Sequence, residues 1–157
     1  MIILGIHDGH NCGASLSHNG KIVCSILEER ITRKKNDVGF PKRSIIDCLK
    51  SYGIKFSDID YAVYSSKFMH SANHLKDPGS WYKSSLEDQI SDSKKPKKYQ
   101  KIIFEQRTKE RINIIKNLIK IPEDKILFYD HHFCHMASSY YLSPFDKNKK
   151  ILSITLD

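Results

Sequence analysis

The sequence predicts an α/β fold in which a mixed sheet begins with antiparallel hairpins and carries packed helices. The first observation is the apolar run at residues 2–6, which is typical of a buried strand. The second is Asn19-Gly20, a strong hairpin signal that precedes another apolar run at residues 21–27. The third is the segment 99–120, whose apolar residues recur at helical spacing. With 157 residues, of which 39% are hydrophobic, the chain is long enough to bury a core.

The other elements follow from shorter patterns of the same kind. We expect residues 66–98 to be a mobile insertion, because Pro78-Gly79 and many Ser, Asp and Lys residues interrupt any periodicity. Apolar runs bounded by turn residues predict the remaining strands, and a proline followed by an apolar stripe and a glycine predicts one more helix. These elements are the strands at residues 12–17, 61–65, 126–129 and 151–157, and the helix between Pro41 and Gly53.

The charge balance bears on possible partners. A formal net charge of +8 favours anionic ligands or nucleic acid. Much of the excess lies in one lysine-rich stretch beside a segment rich in Ser and Asp, where the basic residues do not alternate with aromatic residues. We therefore predict a solvated face and no nucleic-acid partner. The lysines of this stretch are Lys94, Lys95, Lys97, Lys98 and Lys101.

The apolar run at residues 2–6 is too short for a membrane span or a signal segment, so we predict no membrane partner. The four cysteines show no CxxC spacing, and we expect reduced, mostly buried thiols in a cytoplasmic protein. A homodimer is compatible with the sequence, which does not determine the oligomeric state. The cysteines are Cys12, Cys24, Cys48 and Cys134.

The clearest candidate site is the segment DHHFCHMASSYY, which follows the apolar run at residues 126–129. A strand followed by a helix is predicted, with Asp130 as the helix cap. Because residues four apart share a helix face, His131 and His135 can bind one ion between them, while His132 points elsewhere. Surface capping or packing in the core explains such histidine pairs equally well in many proteins, and this alternative stays open. The position at the end of a strand, where α/β folds bind ligands, favours the metal.

Two loops are candidates for binding an anion. The turn at residues 7–11 contains Gly9 and histidines between two predicted strands, so its backbone N–H groups can surround a phosphate. The segment at residues 28–41 is dense in charge directly after a strand. Its cations suit either a solvated loop or polyanion recognition, and the residues alone do not decide between the two.

Several segments taken together carry a resemblance to a known family. They are the first hairpin, EERITRKKNDVGFP, DHHFCHMASSYYLSPF and the terminal ILSITLD. In this order they resemble the N-terminal part of the O-carbamoyltransferases, which decorate nodulation factors and antibiotics. The resemblance implies that residues 1–157 form the N-terminal lobe of an actin-like and sugar-kinase-like catalytic domain, without the rest of that domain and without the nucleotide-forming domain.

The resemblance also implies the reaction and its metal. The family transfers a carbamoyl group from carbamoyladenylate, made from carbamoyl phosphate and ATP with Mg²⁺, to the hydroxyl of an acceptor. His131 and His135 match its paired metal-binding histidines, and Asp157 matches the first of its metal-binding aspartates. The implied ion is divalent, Fe²⁺ in the family, with Zn²⁺ and Mn²⁺ as alternatives.

Further roles come from the same resemblance. His10 matches the histidine that acts on the acceptor hydroxyl as a base or positions it. Lys35 matches an active-site lysine that holds the adenylate phosphate, and Arg33 and Gly9 are expected to help bind this cofactor. Asn11 departs from the family, because many members have an acid there.

Two other functions remain open, and the chain alone is expected to be inactive. The first is a kinase of the same superfamily, which would transfer phosphate to a hydroxyl with Mg²⁺. The second is a non-catalytic binding or assembly module, for which exposed apolar surface would be the signature.

Overall fold

The computed structural model describes residues 1–9, 11–65 and 97–156. In these ranges five strands form one sheet in the order β3-β2-β1-β4-β5, and helices pack against it. The α/β class with a mixed sheet is therefore confirmed. The strands are β1 (Ile2–His7), β2 (Gly13–His18), β3 (Lys21–Leu27), β4 (Tyr61–Tyr64) and β5 (Ile126–Phe128). The helices are α1 (Glu28–Thr32), α2 (Lys42–Ser51), α3 (Lys97–Ile119) and α4 (His131–Leu142).

The antiparallel half of the sheet is the predicted pair of hairpins. Strand β2 pairs antiparallel with both β1 and β3. Asn19 and Gly20 connect β2 to β3 with φ angles of 50° and 79°. Two consecutive positive φ angles define the type I′ turn, whose twist matches that of the flanking strands, so the Asn-Gly signal is confirmed.

The parallel half of the sheet brings the ends of several strands to one edge, where a ligand-binding site can form. Strand β4 pairs parallel with both β1 and β5, so the carboxyl ends of these three strands lie at one edge. One face of the sheet packs against α2 and α3, where each fully buried Leu or Ile contributes roughly 1.5–3 kcal/mol. This core includes Leu4, Ile6, Leu16, Tyr64, Ile45, Leu49, Ile115 and Ile119.

The insertion predicted at residues 66–98 lies outside the described residues, except for its last two. Lys97 and Lys98 belong to α3, so this helix begins earlier than the predicted boundary. No helix among the described residues has both the length and the apolar composition needed to cross a membrane.

The predicted last strand is wrong for residues 151–156, which are extended chain without strand pairing. A strand requires a hydrogen-bonded neighbour, and no described segment forms a ladder with these residues. As a result, Leu152, Ile154 and Leu156 are 86%, 74% and 94% exposed. Asp157, which the prediction placed at the end of this strand, lies outside the described residues.

The expectation of four reduced thiols is also corrected, because Cys24 and Cys48 are joined by a disulfide. Cys24 lies on β3 and Cys48 on α2, and packing brings their Cα atoms to 5.6 Å, within the range of disulfides. Sequence spacing could not reveal a pair that forms between a strand and a helix. Cys12 and Cys134 are free.

The disulfide predicts how many cysteines can be alkylated before and after reduction. We expect mass spectrometry to find two alkylated cysteines in denatured protein never exposed to reductant, and four after reduction. Because the bond joins residues 24 apart in sequence, reduction should lower the free energy of unfolding by about 3 kcal/mol in urea titrations. In the control variant Cys24→Ser, reductant should not change stability. Four alkylated cysteines in the unreduced protein would contradict the prediction.

Candidate functional site

The predicted histidine pair lies at the start of α4. Asp130 caps this helix, since its Oδ1 accepts a hydrogen bond of 3.2 Å from the backbone N–H of Phe133. One turn of helix separates His131 from His135, and their Nε2 atoms lie 3.0 Å apart. The capped helix and the facing histidines agree with the prediction, and the two ring nitrogens point toward the same location.

His131 contacts residues at the edge where the parallel strands end. Its Nδ1 lies 3.4 Å from the backbone carbonyl oxygen of Ser65, the residue after β4. The hydroxyl of the same serine is 2.9 Å from Nδ1 of His7, the last residue of β1. The rings of His7 and His131 stack with centroids 6.1 Å apart. Sequence reasoning missed the roles of Ser65 and His7, although their positions at strand ends were a usable signal.

The side chain of His132, at the start of α4, points away from the pair. Its Nδ1 is 3.2 Å from the Thr155 hydroxyl, so this histidine contacts the C-terminal segment. The sequence predicted only that His132 would not face the other two histidines. Burial raises the pKa of the Cys134 thiol, and Asp130 raises it further. The raised pKa favours the protonated thiol in the metal-free chain.

A cavity of about 300 Å³ opens beside this edge, on the sheet face opposite the core. Gly5 and Gly13 are among its lining residues, and a Cβ at Gly13 would lie 2.7 Å from the carbonyl oxygen of Ile26, so only glycine allows β2 and β3 to approach this closely there. Its polar lining includes His7, Asn11, Ser15, Ser25 and Ser65. The cavity therefore places hydrogen-bonding groups next to the histidine pair.

The two predicted anion-binding loops contact each other. The backbone N–H of Gly39 donates to the carbonyl of Asp8, and that of Cys12 donates to the carbonyl of Asp37, at 3.2 and 3.0 Å. Gly9, in the turn after β1, is buried. His10 of the same turn lies outside the described residues, as does Asp157.

The side chains of Arg33 and Lys35 are exposed on the loop after α1 and are available to an anion. Arg33 ends α1 with φ of 61°, and its N–H donates to the carbonyl of Glu29. The buried Glu28 carboxylate accepts hydrogen bonds from the backbone N–H groups of Arg43 and Ser44, at the start of α2. The loop that carries the two cations is thus fixed at both ends.

A buried ion pair also fixes the turn after β1. Nε of Arg111, on α3, lies 2.7 Å from Oδ2 of Asp8, and both side chains are buried. The sequence contained a signal for this contact, because Arg111 shares a helix face with Ile115 and Ile119. A charged residue on an apolar stripe implies a buried partner.

Cys12 is a nucleophile candidate that the electrostatics exclude. Burial raises the pKa of its thiol to about 12, and the carboxylates of Asp37, Glu28 and Asp8 add to the effect. The thiolate is the reactive form of cysteine, so this side chain stays protonated and unreactive near neutral pH.

Comparison with known proteins gives a family match over almost the whole chain. A family model described as "Carbamoyltransferase N-terminus" matches residues 2–157. The uncharacterized protein sll1178 of Synechocystis sp. is 32% identical over 142 residues, which cover 88% of this chain and 22% of that protein. The uncharacterized protein MJ1051 of Methanocaldococcus jannaschii is 28% identical over 156 residues, with coverage of 99% and 22%. The chain thus spans less than a quarter of either relative.

One further relative matches a shorter part of this chain, and one solved structure is similar at low sequence identity. The nodulation protein NolNO of Sinorhizobium fredii is 39% identical over 59 residues, which cover 38% of this chain and 8% of that protein. Among solved structures, YeaZ from Pseudomonas aeruginosa superimposes with a TM-score of 0.46 at 10% identity, over 90% of this chain and 49% of that chain.

The buried ion pair predicts a large loss of stability when it is broken. In Arg111→Met the Asp8 carboxylate loses this buried partner, and the free energy of unfolding should fall by about 3 kcal/mol or more in urea titrations. The control is Lys116→Met on the same helix, which removes the exposed ion pair to Glu123 and should cost less than about 1 kcal/mol. Adding Asp8→Asn to Arg111→Met should recover part of the loss. Equal effects of the two single variants would contradict the assignment.

Proposed function

The chain belongs to the carbamoyltransferase N-terminus family, and from this membership we propose that it forms the N-terminal part of an enzyme that transfers a carbamoyl group to the hydroxyl of an acceptor. The observation that carries the proposal is the pair of Nε2 atoms of His131 and His135, which face each other at 3.0 Å. The pair lies at the edge where the carboxyl ends of three parallel strands meet, the usual place for a ligand in α/β folds.

The geometry of the pair fits a divalent metal. With metal–nitrogen bonds of about 2.1 Å, two ligands at a right angle lie about 3.0 Å apart, whereas tetrahedral ligands lie about 3.4 Å apart. The observed 3.0 Å lies close to both values, so the two nitrogens can ligate one divalent ion, for which we propose Fe²⁺, with Zn²⁺ and Mn²⁺ as alternatives. The described residues contain no group of three metal-binding side chains. We propose Asp157 as the next ligand.

The proposed donor is carbamoyladenylate, which the nucleotide-forming part of a longer protein would make from carbamoyl phosphate and ATP with Mg²⁺. A divalent ion bound at the histidine pair would supply a Lewis acid for the carbamoyl carbonyl. His10 would remove the proton of the acceptor hydroxyl as its oxygen attacks the carbamoyl carbon. The bond from that carbon to the phosphate oxygen then breaks, and AMP leaves.

We propose that Lys35 and Arg33 stabilise the negative charge on the leaving phosphate. Both side chains are exposed on the loop whose backbone is hydrogen-bonded to Asp8 and Cys12, on either side of the turn after β1. Cations on a fixed loop can accept a phosphate without reordering the backbone. Because the chain spans 22% of its relatives, we expect transfer to require the portion that those longer proteins possess.

A second candidate, a binding or assembly module, is favoured by one observation. Leu152, Ile154 and Leu156 expose alternating apolar side chains, which a partner surface could cover. The superfamily kinase is less well supported, because Mg²⁺ prefers oxygen ligands and has no use for two imidazoles.

The metal proposal predicts a difference between the histidine pair and the third histidine of the same helix. Purified under non-chelating conditions without a histidine tag, the wild-type chain should carry metal detectable by elemental analysis, and His131→Ala/His135→Ala should lose it. The control is His132→Ala, which removes a neighbouring imidazole that points elsewhere and should retain the wild-type amount. Loss of metal in the control equal to that in the double variant would contradict the site.

The phosphate-binding proposal predicts a difference between two adjacent lysines. In a protein that combines this chain with the portion present in its longer relatives, Lys35→Ala should lower kcat/KM for carbamoyl transfer at least tenfold, a loss of about 1.4 kcal/mol. Lys34→Ala, equally exposed on the same loop, should change it less than about threefold. Stability should be unchanged in both. Equal activities would refute the role of Lys35.

A further inference from the structure

The cavity beside the histidine pair has a floor made of two neighbouring rows of residues on one face of the sheet. Paired residues of adjacent strands lie side by side, and alternate residues of a strand share a face. In the first row Gly5 is paired with Ser15 and with Val63, and Ser15 is paired with Ser25. The second row, two residues away on each strand, consists of Leu27, Gly13, His7 and Ser65. All eight residues line the cavity.

The floor and wall of the cavity offer hydrogen bonds to a ligand. The hydroxyls of Ser15 and Ser25 have no hydrogen-bond partner in the described part of the chain, so each can donate to a ligand and accept from it. Asn11 also lines the cavity, and its Oδ1 is buried without a donor among the described residues. Because buried polar atoms are nearly always hydrogen-bonded, this acceptor indicates a donor that the described chain does not supply.

The lining lacks strongly charged side chains. Among the described residues that line the cavity there is no Asp, Glu, Lys or Arg. An ionic group that entered it would lose hydration and gain no opposite charge in return. Leu27, Val63 and Ile26 add apolar surface to the lining. The cavity therefore suits an uncharged group that has both hydroxyls and C–H surface.

The volume limits the size of that group. A cavity of about 300 Å³ lies at the lower end of small-molecule sites, which measure roughly 300–1,000 Å³. One ring of sugar size fits this space, whereas an oligosaccharide or a nucleotide would extend beyond it. Arg33 and Lys35, the cations proposed to bind phosphate, are not among the lining residues. The cavity and the phosphate-binding loop thus suit different molecules.

We propose that this cavity binds the acceptor, and that the part of the acceptor it takes is an uncharged, hydroxyl-bearing ring of the size of a single sugar. Ser65, whose carbonyl oxygen lies 3.4 Å from Nδ1 of His131, lines the cavity, as does Cys134. A hydroxyl bound there lies beside the histidine pair. The assignment to an acceptor rests on the proposed carbamoyl transfer, whereas the class of ligand follows from the lining alone.

The first test compares three sugars that differ only at carbon 6. Glucose is neutral, 6-amino-6-deoxyglucose is a cation and glucuronate is an anion at neutral pH. In ¹H–¹⁵N NMR titrations of the chain, glucose should shift the amide signals of Gly5, Gly13, Ser15 and Ser25 saturably. The charged sugars should bind about tenfold more weakly or worse. Absence of glucose binding, equal binding of all three sugars, or shifts confined to other segments would overturn the ligand class.

Two serines of β2 provide a matched pair of variants. Ser15→Val removes a hydroxyl from the cavity and adds bulk, so it should weaken glucose binding about tenfold or more. Ser17→Val makes the same change on the same face of the same strand, outside the lining, and should alter binding less than about twofold. Valine favours strands, so both variants should fold. If Ser15→Val does not fold, Ser25→Val on β3 gives the same comparison. Equal effects of the cavity variant and Ser17→Val would contradict the site.

The second test concerns the acceptor role and uses a protein that combines this chain with the portion present in its longer relatives. Release of AMP from ATP and carbamoyl phosphate, with water as acceptor, reports the proposed reaction. Glucose should accelerate this release in the wild type and in Ser17→Val, but not in Ser15→Val. AMP release that glucose leaves unchanged in the wild type would overturn the acceptor role, as would loss of glucose binding because the added portion fills the cavity.

The failure of the proposed function gives a different result. If no AMP is released under any condition, the carbamoyl transfer fails and the acceptor role fails with it. The titrations with the three sugars still decide whether the cavity takes an uncharged ring. The two failures are therefore distinguishable.

Discussion

The candidate site depends on the parallel pairing of β1, β4 and β5. Because these strands run in one direction, the residues that follow them meet at one edge although they are far apart in sequence. His7 ends β1, Ser65 follows β4, and Asp130 and His131 follow β5. Backbone hydrogen bonds between the strands thus determine the spacing of the site. The antiparallel hairpins extend the sheet on the other side and supply the floor of the cavity.

Local signals in the sequence were sufficient for individual elements, but not for the parallel pairing of β1, β4 and β5. The Asn19-Gly20 turn, the Asp130 cap and the spacing of His131 and His135 each depend on residues within a few positions of one another. Such interactions follow from backbone geometry and helical periodicity, whatever the rest of the chain does. The helix that carries the histidines was predicted in the same way, from the apolar run directly before it and the Asp130 cap.

Contacts between distant segments could not be predicted in the same way. Asp8 and Arg111 are 103 residues apart, and only the packing of α3 brings them together. The disulfide between Cys24 and Cys48 likewise depends on how α2 lies against β3. The extended segment 151–156 shows the reverse case: its alternating pattern is that of a strand, but pattern alone does not supply a hydrogen-bonded neighbour.

Electrostatics at the start of α4 limit what the histidine pair can do alone. The exposed N–H groups of a helix N-terminus carry partial positive charge, which disfavours a nearby cation. The Asp130 cap offsets part of this charge, but the two imidazoles contribute none when neutral. A divalent ion here consequently needs anionic ligands for tight binding, which is the physical reason to expect a carboxylate such as that of Asp157. An anionic donor would gain from the same arrangement, because residual positive charge at the helix start and the cations at Arg33 and Lys35 both attract it. In the proposed metal site the histidines would therefore position the ion, and the surrounding charges would provide the affinity.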